Sequence, residues 1–308
     1  MFKGIKSGWQ LVRESMKVFN HYPKFIVPLL ITWLIYAPMV LYLEYWFNWD
    51  VYSEAQIYLI VFSVIFIFAF ILSFSCSVLL ELIQQLESGK QINIKSAFWH
   101  TLRHNTLKML PIIIVWTIIW FILLIIQVLL SKDERSEKKS YSSENAAKTL
   151  AGYQGFTFSR AFFEALEKGI RMIVFLILPG IAWENLNFWK STKKGIAVFK
   201  SNLSAFVTGF LLTEFVWYLI MIPPIILFFL SDEMGVSFSD KIWFITSIYI
   251  AFAWSYSIYL EQMFAAELYL WNHKWEKEVL KAQLEGRPIP LLNDILKPSI
   301  LDESHDLL

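Results

Sequence analysis

Four carboxylates of this chain lie inside or at the edge of strongly apolar stretches: Glu184, Glu214, Glu261 and Glu267. An acid in such a place is expensive as a bare ion, so it holds a proton or cation, pairs with a base, or accepts hydrogen bonds. Glu214 has the sharpest setting. It sits about a dozen residues into the run 201–230, well below the surface at about 1.5 Å per helical residue. Placing it there costs roughly 3 kcal/mol, and each flanking Leu, Ile, Phe or Val returns about 0.3–0.6 kcal/mol, so the run still inserts. Glu214, Glu184, Glu261 and Asn185 form a candidate intramembrane polar site. With Glu267, Asn187, Asn202 and Gln262 they could build one inward-facing pocket for a proton-sensitive path. The competing reading gives each acid a local partner at the interface: a base, a Tyr, or a neighbouring helix's broken backbone.

Other chemistry leaves no motif in the sequence. It contains no glycine-rich phosphate loop, GxSxG elbow, HExxH pair, cysteine cluster or paired-Asp lipid-transferase motif. No catalytic residue and no cofactor is therefore assigned. His100 and His104 are spaced to share a metal from one helix face, but no Cys or third ligand accompanies them. They read better as headgroup-facing, and no metal site is assigned. Cys76, the single cysteine, excludes an intrachain disulfide.

The elements that position these residues are membrane helices. Hydrophobic residues make up 56% of the 308 and aromatics 18%, outside soluble norms. The formal net charge is +1, which gives no reason to expect a nucleic-acid partner. The fold class is all-α: a polytopic bundle of six spans, near 25–46, 55–82, 109–131, 166–189, 203–230 and 242–270. One membrane domain covers 1–285, and 286–308 is a cytoplasmic tail, expected disordered or loosely docked. The fourth span is the weak one. Only twelve uncharged residues separate Arg171 from Glu184, and Pro179-Gly180 predicts a kink or break. The pairs Glu164/Lys168 and Glu167/Arg171 before it have the i, i+4 spacing of surface partners. Residues 132–158 form a polar outer loop, whose charged part reads as mobile. Residues 1–24 are an amphipathic helix lying in the headgroup plane, or packed on the cytoplasmic ends of the bundle; Ile5, Trp9, Val12, Met16 and Phe19 mark its apolar face.

Segments 1–24, 83–108, 189–203 and 272–308 carry five, four, four and five Lys/Arg, while 48–56 and 231–241 carry none and one. The positive-inside rule places both termini in the cytoplasm of a multi-pass plasma or inner membrane protein. Segment 132–168, with seven bases and six acids, is the exception. If 169–189 did not cross, the last two spans would invert. Three basic segments share a pattern of base, small residue and large apolar residue, then a base seven or eight on. They are Lys6-Ser7-Gly8-Trp9…Arg13, Lys95-Ser96-Ala97-Phe98…Arg103 and Lys193-Lys194-Gly195-Ile196…Lys200. Each leads into a span, so the chain reads as three units of amphipathic segment plus hairpin. Lys6, Arg13, Lys95, Arg103, Lys193, Lys194 and Lys200 are the expected contacts to anionic headgroups.

Gly8, Trp9 and Ser15, with Pro179, Glu184, Ser191 and Lys194, match two stretches of a prokaryotic family of six-helix membrane proteins whose domain has no assigned function. The chain resembles that family in layout over most of its length, although the 132–154 loop is longer than the family's compact form. It is more loosely similar to the membrane domain found beside some glycerophosphodiester phosphodiesterases; the catalytic domain of those enzymes is not present in this sequence. The expectation is a non-enzymatic structural, interaction or lipid-organising bundle. Its partners would be membrane lipids, and a protein bound through the tail or outer loop. The alternative is a transporter or permease-like subunit using Glu214.

Overall fold

The structure is a computed structural model that describes residues 2–130, 140–153 and 158–301, and every statement below concerns those residues. They are helical throughout, without a strand. In chain order the helices are α1 (Phe2–His21), α2 (Val27–Tyr45), α3 (Glu54–Glu87), α4 (Ile94–His100), α5 (Thr106–Leu130), α6 (Ser143–Leu150), α7 (Phe158–Ala182), α8 (Phe188–Ser201), α9 (Leu203–Asp232) and α10 (Asp240–Leu284). A π-helical turn, Thr101–Asn105, joins α4 to α5. Five segments are long and apolar enough to cross a membrane: Pro23–Tyr45, Glu54–Glu87, Ile94–Leu129, Leu203–Asp232 and Asp240–Leu284. α7 is as long as α5, at 25 residues, but Glu164, Glu167, Lys168 and Arg171 keep it outside that group.

The helices nest around three members. α3, α7 and α10 carry the longest buried stretches, from Leu72, Met172 and Ser255 respectively toward one end of the bundle. α5 packs against both α3 and α7, and α2 against both α3 and α10. α9 lies along α10 and is joined to α7 by a hydrogen bond from Lys168 to Glu214. At the buried end α4 leans on α3, α8 on α7, and α1 on α9 and α10. Small residues let these amphipathic helices seat closely. A Cβ on Gly8 would meet the Thr208 Cβ at 2.7 Å, and one on Gly195 would meet Ile177 Cγ1 at 2.7 Å. Ala97, at the corresponding place in α4, is fully buried. α4 and α8 start on side-chain caps: Asn93 accepts from the Ser96 N–H and Asn187 from the Lys190 N–H, both at 3.0 Å.

Of the two places expected for α1, it takes the one packed on the ends of other helices, α9 and α10, and three other expectations change. Its buried face includes Leu11, Val12, Ser15 and Val18, whereas Trp9 is 53% exposed. Pro179-Gly180 does not break α7, which ends after Ala182; the irregular backbone follows, with Asn185 at φ 56°. A Cβ on Gly180 would lie 2.4 Å from Ser191 Oγ, so this pair marks the close α7–α8 approach. The polar segment after α5 contains a docked helix. Ala147 of α6 is buried against Met221, Phe228 and Trp243, and Thr149 shares a 2.8 Å hydrogen bond with Tyr45. Residues 131–139 and 154–157 of that region lie outside the described residues. The tail is also docked as far as Leu301. The Trp271 and Trp275 indoles donate to the carbonyls of Ile295 and Pro290, and Lys297 and Ser299 reach Gln10 and Glu14 on α1.

The tightest seat between spans is Gly209 of α9, where an added Cβ would meet the Phe264 ring at 2.1 Å. Gly209→Leu should destabilise the detergent-solubilised protein by about 1–3 kcal/mol through overpacking. Val207→Leu, at an exposed position on the same helix, should leave it unchanged. Thermal melting of the two variants checks the α9–α10 packing.

Candidate functional site

Lys168 is buried and Arg171 half-buried, and a carboxylate beside each offsets the cost of withdrawing its charge from water. α7 presents both to α9 and α10. Lys168 Nζ lies 2.5 Å from Glu214 Oε2 and 3.6 Å from Glu261 Oε1. Arg171 grips Glu261 with two hydrogen bonds, Nε to Oε2 at 2.8 Å and Nη2 to Oε1 at 3.0 Å. This is the bidentate fork that suits guanidinium to carboxylate. Lys168 is 4% exposed and Glu261 1%, while the Glu214 side chain keeps 32% exposure. The Lys168 ammonium also stands 5.1 Å from the centre of the Phe210 ring. Two cations and two anions thus close a network of zero net charge across three helices.

Of the predicted site, Glu214 and Glu261 come together here, through bases expected to pair along the surface of their own helix. Lys168 and Arg171 are the residues that the sequence reading missed as members of the site. The available signal was that a segment needed as a span carried three charges within five residues, 167–171, which demand partners as strictly as Glu214 does.

Glu184 and Asn185 belong to a separate cluster where α7 meets α8. The Glu184 carboxylate accepts from Lys194 Nζ and from the Tyr269 hydroxyl, each at 2.7 Å, and His273 Nδ1 is 3.6 Å away. Lys194 also pairs with Glu276 at 3.0 Å, so its charge is spent inside the protein rather than offered to a headgroup. Asn185 accepts a hydrogen bond from Lys108. Burial pushes the Glu184 carboxyl upward, but the hydrogen bonds from Lys194 and Tyr269 outweigh it and hold the group below the usual carboxylate range. Glu144, at the α6 end, behaves alike: burial opposes ionisation, and hydrogen bonds from Lys148 and Ser231 lower it on balance.

The remaining candidates do not join a common pocket. Asn187 caps α8, and Asn202 donates to the Val198 carbonyl at 2.9 Å. Glu267 is buried and accepts from Ser15 of α1 at 3.1 Å. Gln262 is fully buried, without a hydrogen-bond partner among the described residues. His100 pairs with Glu81 at 2.9 Å and its ring stacks on His104 at 4.5 Å, so it faces a carboxylate and not only headgroups. Among the described residues no group of three His, Cys, Asp or Glu could hold a metal. Lys6, Arg13, Lys95, Arg103, Lys193 and Lys200 are all exposed. Comparison with known proteins finds no family model, no curated protein and no solved structure that matches this chain.

Arg171→Leu should cost about 3 kcal/mol, because it removes both guanidinium hydrogen bonds and leaves Glu261 only the Lys168 ammonium 3.6 Å away, and Arg171→Leu with Glu261→Leu should recover most of that loss. Equal destabilisation of the single and double variants, measured by melting in detergent, would refute the pairing.

A pH dependence follows from the two lowered carboxylates. Their contribution to stability is complete above the unfolded value of about 4.3 and is lost as pH falls through the lower folded values. The melting temperature should drop as the pH is taken below about 4, and Glu184→Gln with Glu144→Gln should flatten part of that slope.

Proposed function

We propose that the chain is a six-span protein of the plasma or inner membrane, with both termini in the cytoplasm. In this reading it is a non-enzymatic bundle that organises lipids or partner proteins at the cytoplasmic face. The observation that carries it is the division of charge. Inside the bundle Lys168, Arg171, Glu214 and Glu261 are spent on one another. At the end held by α1, α4 and α8, six bases stay exposed beside the exposed Trp9, Phe98, Trp99, Trp189 and Ile196. Bases and aromatics together suit a headgroup layer. The ion pairs support a sixth span: α7 is about 37 Å long at about 1.5 Å per residue, and its partners α9 and α10 neutralise Lys168 and Arg171.

The three-unit reading belongs to this proposal and gains support from the second helix of the first and third units. Ser75, Ser77, Leu80, Glu81 and Glu87 on α3 have the same spacing as Ser255, Ser257, Leu260, Glu261 and Glu267 on α10. The small residue of each amphipathic segment is buried and the large apolar one beside it is exposed: Gly8 and Trp9, Ala97 and Phe98, Gly195 and Ile196. The resemblance to the six-helix prokaryotic family is proposed on the same residues as before. Several of these now have contacts: Gly8 against α9, Ser15 on Glu267, Ser191 on the Ile177 carbonyl, and Glu184 on Lys194.

Topology is tested by single cysteines in a Cys76→Ser background. Glu233→Cys should label with a membrane-impermeant maleimide from outside the cell, and Lys200→Cys only after permeabilisation; the opposite pattern would mean that α7 does not cross. For the lipid role, the protein extracted with its surrounding lipid should be enriched in anionic lipid over the bulk membrane. Reversing Lys95, Arg103, Lys193 and Lys200 to Glu should abolish the enrichment, and enrichment that survives would overturn the reading.

A second reading, a proton-sensitive transport subunit, is favoured by one observation: the Glu214 carboxylate is paired yet one-third exposed. It predicts a proton flux in reconstituted vesicles after a pH jump, lost in Glu214→Gln. The scaffold reading predicts no flux above protein-free vesicles.

A further inference from the structure

We propose that the groove between α2, α3 and α4 binds one anionic phospholipid of the cytoplasmic leaflet, its acyl chain in the groove and its phosphate held by Lys95 and Arg103. The groove encloses about 280 Å³ and is walled by Ile31, Ile35, Ile71, Phe74, Phe98 and Leu102. The lining includes one hydroxyl, Ser75, and it is already engaged by Thr32 at 2.6 Å. A hydrocarbon chain fits such a lining, while a polar ligand would leave its own groups unpaired. The Phe74 and Phe98 rings meet edge to face at 5.1 Å and fix the wall between α3 and α4.

The occupant follows from what stands beside the groove. Ile94, Phe98 and Leu102 recur every four residues and share the face of α4 and the π-helical turn that closes the groove. Lys95 and Arg103 each come one residue later, so they lie on the adjoining face, and both are exposed. Arg103 stands 5.8 Å from the centre of the Trp99 ring, which holds the guanidinium beside an interfacial aromatic. Ile31 and Ile35 are exposed on α2, an apolar helix long enough to cross a membrane. The groove therefore opens sideways, onto the surface that lipid covers, and not toward water. An apolar slot open to the bilayer beside two bases matches a two-part ligand: a chain with an anionic head. The π-helical turn carries both Leu102 and Arg103, and single π turns of this kind recur at binding sites.

The inference rests on the membrane reading above but fails separately from it. Resistance to alkaline carbonate extraction reports insertion; loss of the protein into the soluble fraction would sink the membrane reading itself. Native mass spectrometry of the delipidated protein, titrated with phosphatidylglycerol or phosphatidylcholine, reports the site. The expected result is a one-to-one phosphatidylglycerol adduct, favoured several-fold over phosphatidylcholine. Lys95→Glu with Arg103→Glu should reduce it to the phosphatidylcholine level. Ile35→Trp with Ile71→Trp, which fills the slot, should remove both adducts. If that variant does not fold, a phospholipid with a diazirine on its acyl chain, cross-linked to the unaltered protein, should mark peptides containing Phe74, Phe98 or Leu102. An inserted protein with no adduct, an unchanged preference after charge reversal, or cross-links elsewhere would each overturn the proposal.

Discussion

The fold turns on the need to neutralise Lys168 and Arg171. Both project from the part of α7 that adjoins its run of Ile, Val, Phe and Leu; Lys168 is buried and Arg171 half-buried. A buried ion left unpaired costs several kcal/mol after relaxation, so neither base can sit there without a carboxylate in contact. The acids come from different helices: Glu214 from α9 and Glu261 from α10. α7 is thereby fixed in rotation and in depth against both. Each helix would be a poor span alone at the level of its charge, and together they cancel. The same requirement explains why the middle of α10 is buried from Ser257 through Asn272. It must present Glu261 to α7 on one side while Gly209 of α9 receives Phe264 on another.

A second tier of ties locks the ends. Lys194 binds Glu184 and Glu276, and so joins α8 to the end of α7 and to α10. The segment after α10 returns across α1, held by Trp271 and Trp275 on its carbonyls and by Lys297 and Ser299 on Gln10 and Glu14. At the other end Lys148 of α6 pairs with Glu144 and Asp232. Polar residues thus do structural work wherever two helices end side by side. Lys6, Arg13, Lys95, Arg103, Lys193 and Lys200 take no part in these ties and stay exposed.

The helical fold and five long apolar segments were legible because run length is a local property. The five apolar segments overlap the positions expected from the sequence. What was not legible depended on distant partners. Lys168 and Arg171 have acids four residues upstream, and sequence spacing cannot tell that local pairing from one with Glu214 or Glu261. α6 was hidden because it is two turns long and mostly polar; its docking hangs on Ala146, Ala147 and a lysine whose second acid lies 84 residues away. The tail has the composition of a loose segment, and its order comes from two indoles on α10 whose N–H groups reach the carbonyls of Ile295 and Pro290.

The two bonds at the centre differ in a way that bears on function. Arg171 and Glu261 are joined by two hydrogen bonds, and Glu261 is 1% exposed, so separating them would expose two charges to apolar surroundings at once. Lys168 and Glu214 share one short contact, and Glu214 retains access to its surroundings. Protonating Glu214 would release Lys168, whose ammonium has Glu261 3.6 Å away as a ready alternative. The network therefore has a fixed half and a half with somewhere to go. A static scaffold needs only the fixed half. In the transport reading proposed above, Lys168 would exchange between Glu214 and Glu261 while the bidentate Arg171 pair keeps α7 seated.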